Sequence, residues 1–188
     1  MNDFLRQHVE EIVSLTDEEF AFVSSFFTVK KLRKHQFLVQ QGEPVNAVYL
    51  TADGCLKSYY LDQNGKEHIF QFAVKNWWIS DCQAFYTRSD ATICVDCIED
   101  SELLTLLYDD REKICAEIHK MEHFFRVKAN LGHAAFQQRI LSLLNSNAFE
   151  RYEQFATLYP QILRRVPKRL IASYLGMSRE TLSRLALK

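Results

Sequence analysis

The chain is short of the residues that build several common kinds of site. It has five glycines and three prolines in 188 residues, so each marks a particular turn or boundary. Glycine is too scarce for a phosphate-cradling loop, and neither a G-x-x-x-x-G-K nor an H-E-x-x-H motif occurs. No nucleophile–base set is visible, so no enzyme activity is expected. No apolar run approaches the ~20 residues of a membrane span. Residues 1–11 are polar and charged, and do not read as a signal peptide. Together these absences point to a cytoplasmic protein without a membrane partner. No cysteine precedes Cys55, and the five present (Cys55, Cys82, Cys94, Cys97, Cys115) are an odd number without framework spacing, which suits free thiols. Cys94 and Cys97 form a C-x-x-C. Residues 91–98 alternate like a strand, however, which turns the two thiols to opposite faces. Cys115, His119 and His123 follow helical spacing, but on a face expected to meet a partner chain. No metal and no cofactor are expected.

What is present is a large apolar and aromatic complement. Hydrophobic residues make up 47%, with fourteen Phe, eight Tyr and two Trp, enough for a real core and against disorder. The formal net charge of −1 hides an asymmetry. Residues 161–188 hold seven Lys/Arg and one acid, Glu180, for about +6; the first 160 carry about −7. A basic end on an acidic body is what a phosphate-binding module on a separate domain should look like.

Leu15-Thr16-Asp17-Glu18-Glu19-Phe20 predicts a capped amphipathic helix to about Phe27, with Thr16 and Glu19 as a capping box. From Val29 to Leu107 short apolar runs alternate with turn signals at Gly42-Glu43-Pro44, Asp53-Gly54 and Asn64-Gly65. That pattern predicts an antiparallel barrel or roll. A helix follows over 109–131, with Ile114, Ile118, Met121, Phe125 and Lys128 near one face. Further helices are expected over 133–144 and 149–158, the last ending at Pro160. Gly132, the only glycine between Gly65 and Gly176, places a boundary near residues 130–132. The fold class is therefore α+β: a jelly-roll-like β-roll over 1–108, a connecting helix over 109–131 and a helical module over 132–188. The apolar stripe of the connecting helix suggests a homodimer.

The end of the chain is the most informative part. Ile171, Leu175, Leu182 and Leu185 fall at helical spacing around Gly176, and Ala172 offers the small side chain that two crossing helices need. Ser178 is a natural N-cap for the second helix. Two short helices about a glycine turn describe a helix-turn-helix, whose second helix enters the DNA major groove.

A β-roll, a long helix and a terminal helix-turn-helix, in that order, resemble the Crp/Fnr family of bacterial transcription regulators. The resemblance is strongest at Ser178-Arg179-Glu180-Thr181-Leu182-Ser183-Arg184, which is similar to the recognition helix of the family's cyclic-AMP-responsive members. It implies that Arg179, Glu180 and Arg184 reach base edges, while Ser178, Thr181, Lys168 and Arg169 contact phosphates. Arg can fork onto guanine and Glu can accept from cytosine, so the chemistry fits independently. The resemblance further implies a palindromic double-stranded DNA site, half-sites of the TGTGA type and dimerisation through the helix from Asp109. RNA polymerase and a small-molecule effector are the other partners it implies.

The effector pocket departs from the family's pattern. Cyclic-AMP binders carry Phe-Gly-Glu and then Arg-Ser/Thr-Ala. Here Ile79-Ser80-Asp81 and Ser89-Asp90-Ala91 stand in those places, with Arg88 one position early. Cyclic AMP is therefore not expected to bind. The iron–sulfur sensor of other members, a cysteine cluster near the N-terminus, has no counterpart before Cys55. Trp77 and Trp78, with Ser80, Asp81 and Arg88, are the candidate effector-pocket residues. Phe70, Phe72, Phe85 and Tyr86 are either neighbours of an apolar cavity or simply barrel filling. Family members often continue into a β-wing, and this chain stops three residues after Leu185. The rival reading from another class is a ligand-binding or protein-interaction module whose basic tail binds a protein or RNA.

Overall fold

The computed structural model describes residues 1–186; Lys188, one of the charges in the basic end, lies outside them. Two short helices come first, α1 (Asn2–Glu10) and α2 (Asp17–Ser24). The Thr16 side chain accepts from the Glu19 amide while the Glu19 carboxylate accepts from the Thr16 amide, so the capping box forms. The roll then follows: β1 (Thr28–Leu32), β2 (Phe37–Val39), β3 (Ala47–Asp53), β4 (Leu56–Leu61), β5 (Glu67–Ala73), β6 (Trp78–Ile79), the one-turn helix α3 (Cys82–Thr87), β7 (Cys94–Cys97) and β8 (Ser101–Leu107). Two four-stranded antiparallel sheets result, in the orders β1-β8-β3-β6 and β2-β7-β4-β5. Gly54 turns β3 into β4 at φ +97°. A Cβ there would lie 2.6 Å from Ser101 Cα and 2.7 Å from the Asp100 carbonyl oxygen, so only glycine fits. β7 sends Cys97 into the roll and Cys94 to its outer face, as strand alternation requires.

The helical half departs from the sequence expectation in two ways. The expected helix over 109–131 is broken at Ile118 (φ −126°, ψ 95°) into α4 (Tyr108–Glu117) and α5 (His119–Asn145). The break separates Cys115 from His119 and His123. In turn α5 runs unbroken for 27 residues through Gly132, where a boundary was expected. Gly132 faces open space, since an added Cβ would meet nothing within 4 Å. A helix without Pro loses only about 1 kcal/mol at one interior glycine, too little to end it. The chain continues as α6 (Ala148–Leu158), α7 (Pro160–Arg165), α8 (Lys168–Tyr174) and α9 (Arg179–Leu185). Pro160 opens α7 at its first turn rather than merely ending α6.

A third correction concerns which face of the long helix is apolar and free. Ile114, Ile118, Met121 and Phe125 are all buried, packed with Phe124 into the core of their own roll. That stripe is not available to a partner. The exposed large apolar residues lie further along α5: Leu131, Phe136, Ile140, Leu141, Leu143 and Leu144.

The helical module sits on the outer face of the second sheet. Cys55, Tyr59, Ile69, Phe72, Val74, Cys94 and Ile98 from the roll share one apolar cluster with Phe155, Ile162, Val166, Leu170, Ile171 and Leu182 from the module. Burial pushes the Cys55 thiol up to about 12, which makes it inert.

Candidate nucleic-acid interface and effector pocket

The helix-turn-helix forms as its sequence predicts. Gly176 adopts φ +63° between α8 and α9, and Ala172 and Leu182 are buried beneath the crossing. Ser178 caps α9: its side-chain oxygen accepts from the Thr181 amide, and the two hydroxyls lie 3.1 Å apart. Arg179, Glu180 and Arg184 are exposed together on α9. The Glu180 carboxylate is held below the ordinary carboxylate value by hydrogen bonds from its own amide and from Ser178, with Arg179 and Arg184 adding to the effect. Lys168 is exposed at the start of α8. Arg169 is also exposed and lies 3.9 Å from Glu67 of the roll. Arg165 donates to Glu99 and to the Gly54 carbonyl, so this part of the basic end ties the module to the roll.

The structure brings the candidate effector residues together only in part: Trp78 and Ser80 line one cavity, and Asp81 and Arg88 are engaged elsewhere. Asp81 is buried and caps α3 through the Ala84 amide. Its other carboxylate oxygen accepts from the Thr92 amide at 2.7 Å, the Thr92 hydroxyl at 2.8 Å and the Ile93 amide at 3.2 Å. Burial alone would push this carboxyl up, but the four donors hold it below its ordinary value. The amides of Ala84, Thr92 and Ile93 are thus taken by the chain's own carboxylate. Ser80 donates to the Ala47 carbonyl. Arg88 takes a left-handed conformation and points outward, pairing with Asp109 and lying 4.2 Å over the Tyr108 ring.

Trp77 and Trp78 do line cavities, and these lie between the roll and α5 rather than inside the barrel. One, of about 310 Å³, runs from Ser80, Cys82 and Tyr86 to His133 and Phe136. The other, of about 350 Å³, runs from Phe70, Phe72 and Trp77 to Tyr159 and Tyr174 of the module. Phe85 fills the core instead. Trp78 is fixed by its indole N–H, which donates to His8 of α1 at 2.9 Å. Burial pushes His8 down to about 4, with Lys128 adding to the effect, so it is a neutral acceptor whose other nitrogen has no partner among the described residues.

Arg139 is the residue that sequence reading missed. Its guanidinium donates to the carbonyls of Ile69 (2.7 Å), Phe70 and Tyr174 (3.1 Å), and stacks 4.0 Å over the Tyr174 ring. It thereby touches β5, α5 and α8 at once. Ser173 of α8 works beside it, donating to the Glu67 carbonyl and accepting from the Ile69 amide along the edge of β5. A signal was available: Arg139 is the only Lys, Arg, Asp or Glu between Lys128 and Glu150.

Comparison with known proteins places this architecture. Residues 29–118, from the first strand through α4, match the cyclic nucleotide-binding domain family. The Anaerobic regulatory protein of Haemophilus influenzae is 24% identical over 186 residues, covering 92% of this chain and 71% of that protein. FixK2 from Bradyrhizobium japonicum superposes with a TM-score of 0.69 at 23% identity, over 86% of this chain and 83% of the other. The c-di-GMP responsive global regulator CLP of Xanthomonas campestris reaches 0.70 at 12% identity, over 92% and 90%. The nucleotide-binding-type roll and relatives that align along nearly the whole chain agree with the resemblance to the Crp/Fnr family read from the recognition helix, and residues 29–118 belong to the cyclic nucleotide-binding domain family.

Proposed function

We propose that the protein is a homodimeric, sequence-specific DNA-binding transcription regulator whose roll does not take cyclic AMP. The observation that carries the DNA reading is α9. It presents Arg179, Glu180 and Arg184 to solvent from a capped helix seated on α8. Arg179 and Arg184 supply forked donors for guanine, and Glu180 supplies an acceptor for the cytosine amine. Ser178, Thr181, Lys168 and Arg169 supply donors to phosphates. Arg169 must exchange its long contact with Glu67 for one, and Glu67 keeps its shorter ion pair with Lys57 when it does. The dimer is formed by the exposed part of α5, from Leu131 to Leu144, and sets two α9 helices about one helical turn apart on a palindrome. Such a regulator acts in the cytoplasm beside RNA polymerase.

Two experiments test this reading. Selection from random duplexes should enrich a palindrome with TGTGA-type half-sites. Glu180→Ala should relax one position of each half-site by about 1–3 kcal/mol, while Arg169→Ala should weaken all sequences alike and flatten the salt slope by about one unit. No enriched motif, or one unchanged by Glu180→Ala, removes the assignment. For the roll, calorimetry with cyclic AMP should show no binding at millimolar concentration, because Ile79-Ser80-Asp81 and Ser89-Asp90-Ala91 replace the nucleotide-binding residues of cyclic-AMP binders and Asp81 is committed to capping its own loop. Micromolar affinity would overturn that.

A further inference from the structure

The seam between roll and module contains a cation without an anion. Arg139 is half-buried at the junction of three elements, and its partners are three neutral carbonyls and one aromatic ring. Its Nε–H is buried without a partner among the described residues. Among the described residues no carboxylate pairs with it, whereas Arg165, which also bridges module and roll, has Glu99. Buried charges are ordinarily paired.

Beside Arg139 lies the 350 Å³ cavity. Its walls are aromatic (Phe70, Phe72, Trp77, Tyr159 and Tyr174), and its second cation, Lys128, is already paired with Glu11 at 2.9 Å, which leaves Arg139 as the one in need of an anion. The neighbouring 310 Å³ cavity shares Trp78, Lys128, Gly132 and Phe136 with it. No Asp or Glu lines either space among the described residues. The room exists because Gly132 and Ala135 leave the roll-facing side of α5 bare. A cavity of this size, at a domain seam, apolar-walled and with a few convergent polar groups, has the form of a small-molecule site.

We propose that this seam cavity binds a planar aromatic anion, an aromatic carboxylate being the simplest case, with Arg139 as its counter-ion. The rings fill the aromatic walls and the carboxylate supplies the charge that Arg139 lacks. Because the walls come from both the roll and the module, the ligand favours the arrangement in which the two are docked. The site stands without the DNA reading. Loss of ligand binding with intact duplex binding would remove this proposal alone, and the reverse result would remove only the DNA assignment.

The probe is 2-naphthoate, followed by quenching of the two tryptophans in the full chain. Saturable quenching is expected, with 2-naphthamide weaker by about tenfold or more, since a hydrogen bond to a charged group is worth that much. Gly132→Phe fills the cavity from a position where a new side chain meets nothing, so it should keep the fold and abolish binding. Arg139→Gln should lose the preference of naphthoate over naphthamide, and Arg139→Lys should restore part of it. Amide exchange at Ile69, whose N–H donates to Ser173, should slow when naphthoate binds. Should Arg139→Gln fail to fold, the naphthamide comparison and Gly132→Phe still decide. No saturable binding at millimolar probe, equal affinity for acid and amide, or full binding by Gly132→Phe would each overturn the proposal.

Discussion

The two halves of α5 read alike as sequence and behave oppositely. Its N-terminal part buries Met121, Phe124 and Phe125 in the roll; its C-terminal part leaves Leu131, Ile140 and Leu144 in water. The helix is continuous, so the difference lies in what surrounds it. Beyond Gly132 one side of the helix faces the module and the edge of β5 through Arg139, while among the described residues nothing buries Leu131, Ile140 and Leu144 on the other side. An apolar stripe therefore does not say whether it is core or interface; the length of the neighbouring domain does.

The strongest way to break the comparison is to put a charge in each half. Met121→Glu places a carboxylate in a fully buried site and should cost about 4 kcal/mol or more, seen as loss of the cooperative thermal transition. Ile140→Glu with Leu144→Glu should leave that transition near its original place and convert a dimer to a monomer in sizing experiments at micromolar concentration. If the exposed pair unfolds the protein and Met121→Glu only dissociates it, the assignment of the halves is reversed.

A smaller effect comes from His8, which packs on Phe124 and Trp78 in the buried half. Its ordinary pKa of 6.5 falls to about 4 in the fold. The folded state therefore favours the neutral ring. Its stabilising contribution is complete above pH 6.5 and is lost as pH falls from 6.5 towards 4, at most on the order of 3 kcal/mol. His8→Gln keeps an acceptor for the Trp78 indole and does not titrate. It should flatten the fall in thermal midpoint between pH 7 and pH 4.5, and an unchanged slope would sink the assignment. The smallest effect is at the junction of the halves. Gly132→Ala adds a methyl where nothing is met, so it should stabilise by about 0.5–1 kcal/mol, read as a raised midpoint in denaturant.

Much of this architecture was legible in the sequence because its signals are local. The Thr16–Glu19 box, the turns at Gly54 and Gly65 and the Ala172–Gly176–Ser178 pattern depend on residues a few places apart. The helix break at Ile118 was not legible, since no Pro or Gly marks it and it arises where α4 and α5 both fold back on the roll. α1 was missed because its buried residues, Leu5, His8 and Val9, are few and include a histidine. Asp81 illustrates the same limit at the site. As sequence it is a short substitute for a family glutamate, and only the fold brings the amides of Thr92 and Ile93 to it from eleven and twelve residues away. Arg139 is subtler still, because its partners are backbone carbonyls, which no side-chain pattern reveals.

The contact of Ser173 with β5 has a consequence for the life of the protein in a crowded solution. β5 is the last strand of its sheet, so one of its edges is open to hydrogen bonding. Ser173 takes the Glu67 carbonyl and the Ile69 amide, and Arg139 takes the carbonyls of Ile69 and Phe70. The module is thus a lid on a surface that would otherwise pair with a strand from another molecule. Opening this junction would uncover that edge, together with Ile69 and Phe72 on the face beneath. Variants that loosen this junction should aggregate before they lose their secondary structure.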